Sequence, residues 1–444
     1  MTYMTEGGNK PYPVLHPFTY MPEPSAFDSG SPYIRLCRAQ GCWAYDEQNR
    51  SYLYATTGAT SVGLGHPRVL EAIAKQYAAL SFASTCAQSH PLAVPLAERL
   101  IRLCGGHYAK AFYSADGSGA VESAMRLAKQ YWIAAGQPKR SKFVSLEGGY
   151  HGTTFGSGSV THLGIREMFG PGLAGCYSAA APNLYRPPVE GKPEWIVSFC
   201  LDHLEETIFE AGPDEVAAVL LEPVQGVNGI IPLPREYVAG VRELTRKYGI
   251  LLVMDEIGTG LGRAGHWTVS QHFGIQPDLL TVSKGLTGGY FPLTATLLSA
   301  EMDRLLFGRG GVFLHGVTLS GHPVGCAAAM AVLDILEEEG LVERSRHEGA
   351  AMLSELKSGL GDHPFVGDIR GMGMMLAIEF VACKDSKRPV DDAFGLRLSK
   401  LLREAGVLGS FLSGVLTLYP PLTLGQDEAR QLTNAVIGAV SKLS

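Results

Sequence analysis

The sequence predicts an α/β fold: a large domain with a mainly parallel sheet between helices, plus a smaller α/β lobe from the N- and C-terminal segments. Three observations predict it. Nearly continuous apolar runs at 217–222 (AAVLLE), 250–255 (ILLVMD) and 279–283 (LLTVS) have the composition of strands buried on both faces. Helically spaced segments alternate with such runs, as a parallel sheet requires. After about residue 335 the order becomes helix, strand, helix, which reads as a separate lobe.

Taken in order, residues 1–30 are rich in Pro and Gly and read as an irregular arm. Short segments at 43–45 and 52–55 read as strands of a small N-terminal lobe. Helical spacing covers 66–80 and 91–103, with strands expected at 111–114 and 142–146. A helix is expected over 234–248, closed by Gly249. Beyond 335, a strand is expected at 373–380 and helices at 391–405 and 426–440. The division expected is 1–65, 66–335 and 336–444.

Composition narrows the function. The 444 residues are 46% apolar and 18% charged, which excludes a disordered chain. A net charge of −6 without a basic block argues against a nucleic-acid surface. No apolar run reaches 18 residues, and the start lacks a basic n-region followed by an apolar core. The eight cysteines form no CxxC and have no His at zinc spacing, so no metal site is expected. They read as reduced thiols, and the cytoplasm is the expected compartment.

In parallel sheets, ligands bind beyond the carboxyl ends of the strands. Glu222, Asp255 and Lys284 each fall at such an end. A lysine there is partly desolvated, which makes its amine a better nucleophile toward carbonyls; taken alone, Lys284 reads first as a solvated turn lysine. Asp255 is costly at a buried strand end without a partner. A protonated heterocyclic nitrogen would suit it, as would an internal pair with Arg263. Ile257, two residues on, could pack on a flat ring or simply in the core. In SADGSGAVESAM (114–125) a strand ends, a turn follows, and a helix is expected near Ala120. The free N–H groups of Gly117 and Ser118 would cradle phosphate. This turn is neither Walker A nor GxGxxG. In GGYHG (148–152), Tyr150 could stack on a ring with His151 beside it, or be a loop aromatic. In HGVTLSGHP (315–323), Thr318 has a hydroxyl suited to phosphate, or marks a simple turn.

A Schiff-base lysine, an acid for a ring nitrogen, a stacking residue and a phosphate cradle together match the needs of pyridoxal 5'-phosphate. With them, LLEPVQGVNGIIP, LLVMDEIGTGLGRAG, TVSKGLTGGYFPL and HGVTLSGHPVGCAAAMAVLDILE resemble the signature blocks of the class III (ω-type) aminotransferases, fold-type I pyridoxal phosphate enzymes. The resemblance runs from about Trp43 to Leu422. It implies that Lys284 is the Schiff-base lysine and proton shuttle and that Asp255 pairs with the pyridinium nitrogen. It implies Tyr150 and Ile257 around the ring, with His151 beside them, Gly117 and Ser118 on the phosphate, and Glu222 as the active-site glutamate. Thr318 would reach the phosphate of the other subunit of a homodimer whose sites lie at the subunit boundary, so residues 66–335 become the cofactor-binding domain.

HPFTYM (16–21), which includes Phe18, is similar to a block of the branch that makes 7,8-diaminononanoate with S-adenosylmethionine as amino donor. The 315–323 block is closer to the ω-amino-acid:pyruvate branch. Departures bear on the substrate. The phosphate turn has Ala115-Asp116-Gly117 where many members have Asn-Ser-Gly. The diaminononanoate-making branch carries a Trp pair where this chain has Thr57 and Gly58. Many members clamp the substrate α-carboxylate with an arginine at the position of Ser410. Either another arginine substitutes, or the usual amino/keto acid pair is not the substrate. Transfer of an amino group between a small amine or amino acid and a keto or aldehyde acceptor is the expected function. The alternative is a non-transaminating pyridoxal phosphate enzyme: a racemase, aminomutase, lyase or S-adenosylmethionine-dependent γ-replacement enzyme. A non-catalytic regulator on this fold would carry an added DNA-binding module, which is absent from the sequence.

Overall fold

A computed structural model describes residues 14–18 and 33–443. Most of the expected arm at 1–30 lies outside the described residues, as do residues 19–21 of the HPFTYM block.

The central sheet has seven strands, in the order Tyr108–Ser114, Thr294–Ser299, Leu279–Val282, Leu251–Asp255, Val216–Leu221, Lys142–Leu146 and Cys176–Ala179. Thr294–Ser299 is antiparallel to both neighbours; the pairings among the other strands are parallel. Every residue of Val216–Leu221, Leu251–Asp255 and Leu279–Val282 is buried. That is why these stretches lack the polar alternation of a one-sided strand. Helices cover the sheet, including Gly117–Ala134, Pro193–Ala211 and Arg235–Lys247. The last of these ends at Tyr248, and Gly249 follows with φ 60°, the left-handed conformation that closes many helices.

A second sheet joins the two ends of the described chain. Leu36–Gln40, Trp43–Asp46 and Ser51–Tyr54 form a meander, and Val407–Leu408 adds to it in parallel. A third sheet runs Val366–Met372, Met375–Cys383, Val415–Leu418, Ser410–Leu412, backed by helix Leu341–Leu360, on which helix Gln426–Val440 packs. No helix among the described residues is long and apolar enough to cross a membrane.

Two local expectations shift. The helix expected near Ala120 begins at Gly117, because Asp116 caps it: its carboxylate accepts from the Gly119 amide at 2.9 Å. A good cap offsets the low helix propensity of Gly-Ser-Gly. The antiparallel strand Thr294–Ser299, unassigned by the pattern, is fixed by its neighbours on both sides.

Candidate active site

Register builds the site. Met254 pairs with Leu221, so Asp255 and Glu222, the next residue of each strand, stand at neighbouring strand ends. Asp255 itself pairs with Thr281, three residues before Lys284. The three expected groups therefore meet at one edge of the sheet.

Lys284 is half-buried and opens a short 3-10 turn, with φ 30°. A non-glycine residue in this region carries about 1–3 kcal/mol of strain, a feature concentrated at functional sites. Exclusion of water from the amine lowers its pKa from the usual lysine range. Glu222 and Asp255 pull it upward, and the charge of Arg263 pushes it down. A Cβ built at Gly258 would stand 3.4 Å from Nζ, so a glycine there leaves the amine room.

Asp255 does not pair with Arg263. Its Oδ2 meets His151 Nδ1 at 2.8 Å, and its Oδ1 accepts from the Ile257 amide and the Thr281 hydroxyl, each at 3.1 Å. Burial, the largest influence on His151, opposes protonation; the hydrogen bond and charge of Asp255 outweigh it and raise the imidazole pKa. His151 Nε2 is buried without a partner among the described residues. Arg263 is instead held by the carbonyls of Met374, Pro420 and Thr60, and burial lowers its pKa to about 10. Glu222 is buried and accepts from the amides of Tyr150 at 2.9 Å and Gly226 at 3.1 Å. Burial pushes its carboxyl up to about 7.

The loop carrying Tyr150 and His151 is tied to the helix start. The Thr153 amide donates to Ser118 Oγ at 3.2 Å, and Glu122 accepts from Thr154 and the Gly156 amide. Gly152, at φ 121°, permits this approach: a Cβ there would sit 2.4 Å from Ser118 Oγ. A Cβ on Gly117 would come within 3.2 Å of Ile257. In the helix's first turn the Gly119 and Ala120 amides bond to Asp116, while Gly117 and Ser118 have no acceptor among the described contacts. Asp116 is exposed, so water screens its charge.

The outer wall gathers the departures. Ser410 donates to the Thr56 carbonyl at 2.9 Å, next to Thr57. Gly58 is buried beneath Tyr419, whose hydroxyl donates to the Gly226 carbonyl at 3.2 Å. Phe18 approaches Tyr150 edge-on, with centroids 6.4 Å apart. Thr318 is not brought to this cluster; it lies exposed on the loop after His315. Thr281, Tyr419 and the structural role of Arg263 were not anticipated. Thr281 had one faint signal, a hydroxyl inside an apolar strand; the other two depend on contacts more than 100 residues apart.

Pyridoxal phosphate fits these residues. An amine with lowered pKa faces two carboxylates, one of them oriented by three donors. Two helix-start amides without an acceptor among the described contacts adjoin Ile257 across Gly117, where an added Cβ would press on the isoleucine at 3.2 Å.

Comparison with known proteins agrees. Residues 25–440 match the family described as aminotransferase class-III. The chain is 35% identical to an adenosylmethionine-8-amino-7-oxononanoate aminotransferase of Geobacter sulfurreducens, over 94% of this chain and 92% of that protein. It is 32% identical to a putrescine–pyruvate aminotransferase of Pseudomonas aeruginosa, over 89% and 88%. An amine transaminase from an uncultivated Pseudomonas species, solved with pyridoxal phosphate bound, superposes with a TM-score of 0.93 at 36% identity, over 98% and 99% of the two chains.

Proposed function

The chain belongs to the class III aminotransferases, enzymes dependent on pyridoxal phosphate, and on that premise we propose that its amino donor is a small amine without an α-carboxylate. The observation that carries this reading is the state of the wall around Ser410. Arg370, Ala377, Thr417 and Ser410 form one row across the third sheet, so their side chains share a face. Ser410 spends its hydroxyl on Thr56. Arg370 is committed to Asp368, Glu379 and the carbonyls of Gly229 and Ile230. Arg263 is fully buried on backbone carbonyls. Neither arginine bordering this wall is left to form the bidentate clamp a carboxylate favours. The names of the amine transaminase and the putrescine–pyruvate relative support the same direction.

When bound, the cofactor supplies an electron sink that acidifies the carbon bearing the substrate nitrogen. In this reading Lys284 Nζ holds the cofactor covalently and, once released, carries the proton. Burial lowers the pKa of that amine, the direction a base requires. Asp255, fixed by His151, Thr281 and the Ile257 amide, accepts the hydrogen bond of a protonated ring nitrogen. Tyr150 and Ile257 flank the ring, and the Gly117 and Ser118 amides bind phosphate. Glu222 orients the Tyr150 backbone through its hydrogen bond.

The working unit in this reading is a homodimer in which Thr318 serves the partner's phosphate. Exposed Leu314, Val317 and Leu319 around it support burial against a second copy. A lobe boundary after residue 65 is kept. The expected boundary at 335/336 falls within helix Pro323–Glu338, and in this reading we set it at Gly340 instead. The cytoplasm is supported by the free, buried thiols of Cys42, Cys104, Cys200 and Cys326.

Mixing the cofactor-loaded protein with single donors, and following its conversion to the pyridoxamine form, tests the donor class. Primary amines should convert it at least tenfold faster than α-amino acids of similar size, about 1.4 kcal/mol in the barrier. Equal or faster conversion by α-amino acids refutes the reading.

A further inference from the structure

The loop that carries Thr318 is pinned at both ends although its middle is exposed. At its start, Ser123 Oγ lies 3.0 Å from His315 Nε2. That hydroxyl donates its one proton to the Gly119 carbonyl at 2.6 Å, so His315 carries the proton at Nε2 and donates to Ser123. The imidazole also stacks on Phe112, with centroids 5.6 Å apart, and meets the edge of Phe313. At the far end, Thr85 donates to the Ser320 carbonyl at 2.9 Å and His90 Nε2 meets the Gly321 carbonyl at 2.7 Å. Inside the loop, Val317 and Ser320 close a turn through two hydrogen bonds. Residues 316–319 are nevertheless all exposed. Ordering an exposed loop costs conformational entropy. Paying that cost before association favours a loop that docks on something.

We propose that His315 is a positioning residue acting in trans: by fixing the 316–319 loop to Ser123, it holds Thr318 where the partner subunit's cofactor phosphate needs it. The inference rests on the homodimer reading above. The anchor lies on the helix turn that follows the chain's own Gly117–Ser118 amides. One subunit's phosphate turn and the loop serving the other subunit's phosphate therefore share a hydrogen-bonded path, Gly119–Ser123–His315. Burial and the nearby Arg126 lower the His315 pKa, and Glu122 opposes them.

The test uses mixed dimers of the full chain, purified by two tags. One chain carries Lys284→Ala together with His315→Phe; the other is unaltered. Only the unaltered chain can hold the cofactor covalently, and loss of its absorbance on dilution gives a single release rate. Release should be threefold to tenfold faster than from a control dimer carrying Lys284→Ala alone, the scale of one hydrogen bond. Replacing His315→Phe with His315→Gln, which keeps a donor at similar reach, should bring the rate back toward the control. If His315→Phe fails to fold, Ser123→Ala removes the acceptor, leaves the ring packing intact and gives the same comparison. An unchanged rate, or acceleration only when the substitution sits on the chain with Lys284, overturns the inference. A protein that is monomeric by mass overturns instead the dimer reading on which it rests.

Discussion

Glu222 and Asp255 end neighbouring strands, yet their surroundings differ. Asp255 is met by three donors, His151, Thr281 and the Ile257 amide, which fix the orientation of its carboxylate. Glu222 has two backbone amides, and burial pushes its carboxyl from 4.5 up to about 7. In the apoprotein the folded chain therefore holds a proton on Glu222 across a window where the unfolded chain has lost it. Stability tied to this group is fully present below about pH 4.5, falls as pH rises toward 7, and stays lost above it. Glu222→Gln cannot titrate. Measured by denaturant unfolding of the apoprotein, its stability relative to the parent should improve across that window, by a few kcal/mol at most. A difference that does not change with pH contradicts this. Its strand-end position and the resemblance of the LLEPVQGVNGIIP block pointed to Glu222 as a site acid, but its bond to the Tyr150 amide belongs to a contact 72 residues away.

Among elements, the parallel strands were legible because burial on both faces writes itself as unbroken apolar sequence. The strand Thr294–Ser299 was not, since TATLLS has no boundary signal and owes its state to the strands beside it. The start of the helix Gly117–Ala134 was misjudged by one turn because glycines argued against a helix while the cap argued for one. That cap has a consequence. Asp116 supplies the hydrogen bond that starts the helix, and it sets a negative charge beside the proposed phosphate amides. Asp116→Asn keeps a capping oxygen and removes the charge. It should leave the apoprotein's melting temperature nearly unchanged and tighten cofactor binding about twofold to fivefold at low salt, less at high salt. Equilibrium titration with pyridoxal phosphate reads this; weaker binding with the cap intact would argue that phosphate does not sit at this turn.

At the scale of the molecule, the proposed substrate wall is assembled from parts remote in sequence. The Ser410–Thr56 hydrogen bond, the Thr56–Tyr419 bridge and the three carbonyls on Arg263 join the N-terminal meander, the large sheet's loops and the C-terminal strands. The sequence exposed the missing arginine as a departure from a family pattern. Only the structure brings Ser410 beside Thr57 and shows Arg370 already neutralised by Asp368 and Glu379. Ser410→Arg returns a guanidinium to the row. It should raise kcat/KM for α-amino acid donors at least tenfold while lowering or leaving unchanged that for simple amines. Steady-state kinetics with matched donor pairs checks it, and an equal change for both classes would mean that Ser410 does not face the donor.

The whole account depends on which side chain holds the cofactor. Reducing the cofactor-loaded protein with borohydride, digesting it and mapping the peptides by mass is the most direct measurement. The pyridoxyl phosphate mass is expected on the peptide containing Lys284 and nowhere else. The same mass on another lysine, or an unmodified Lys284 peptide from fully loaded protein, would contradict the account.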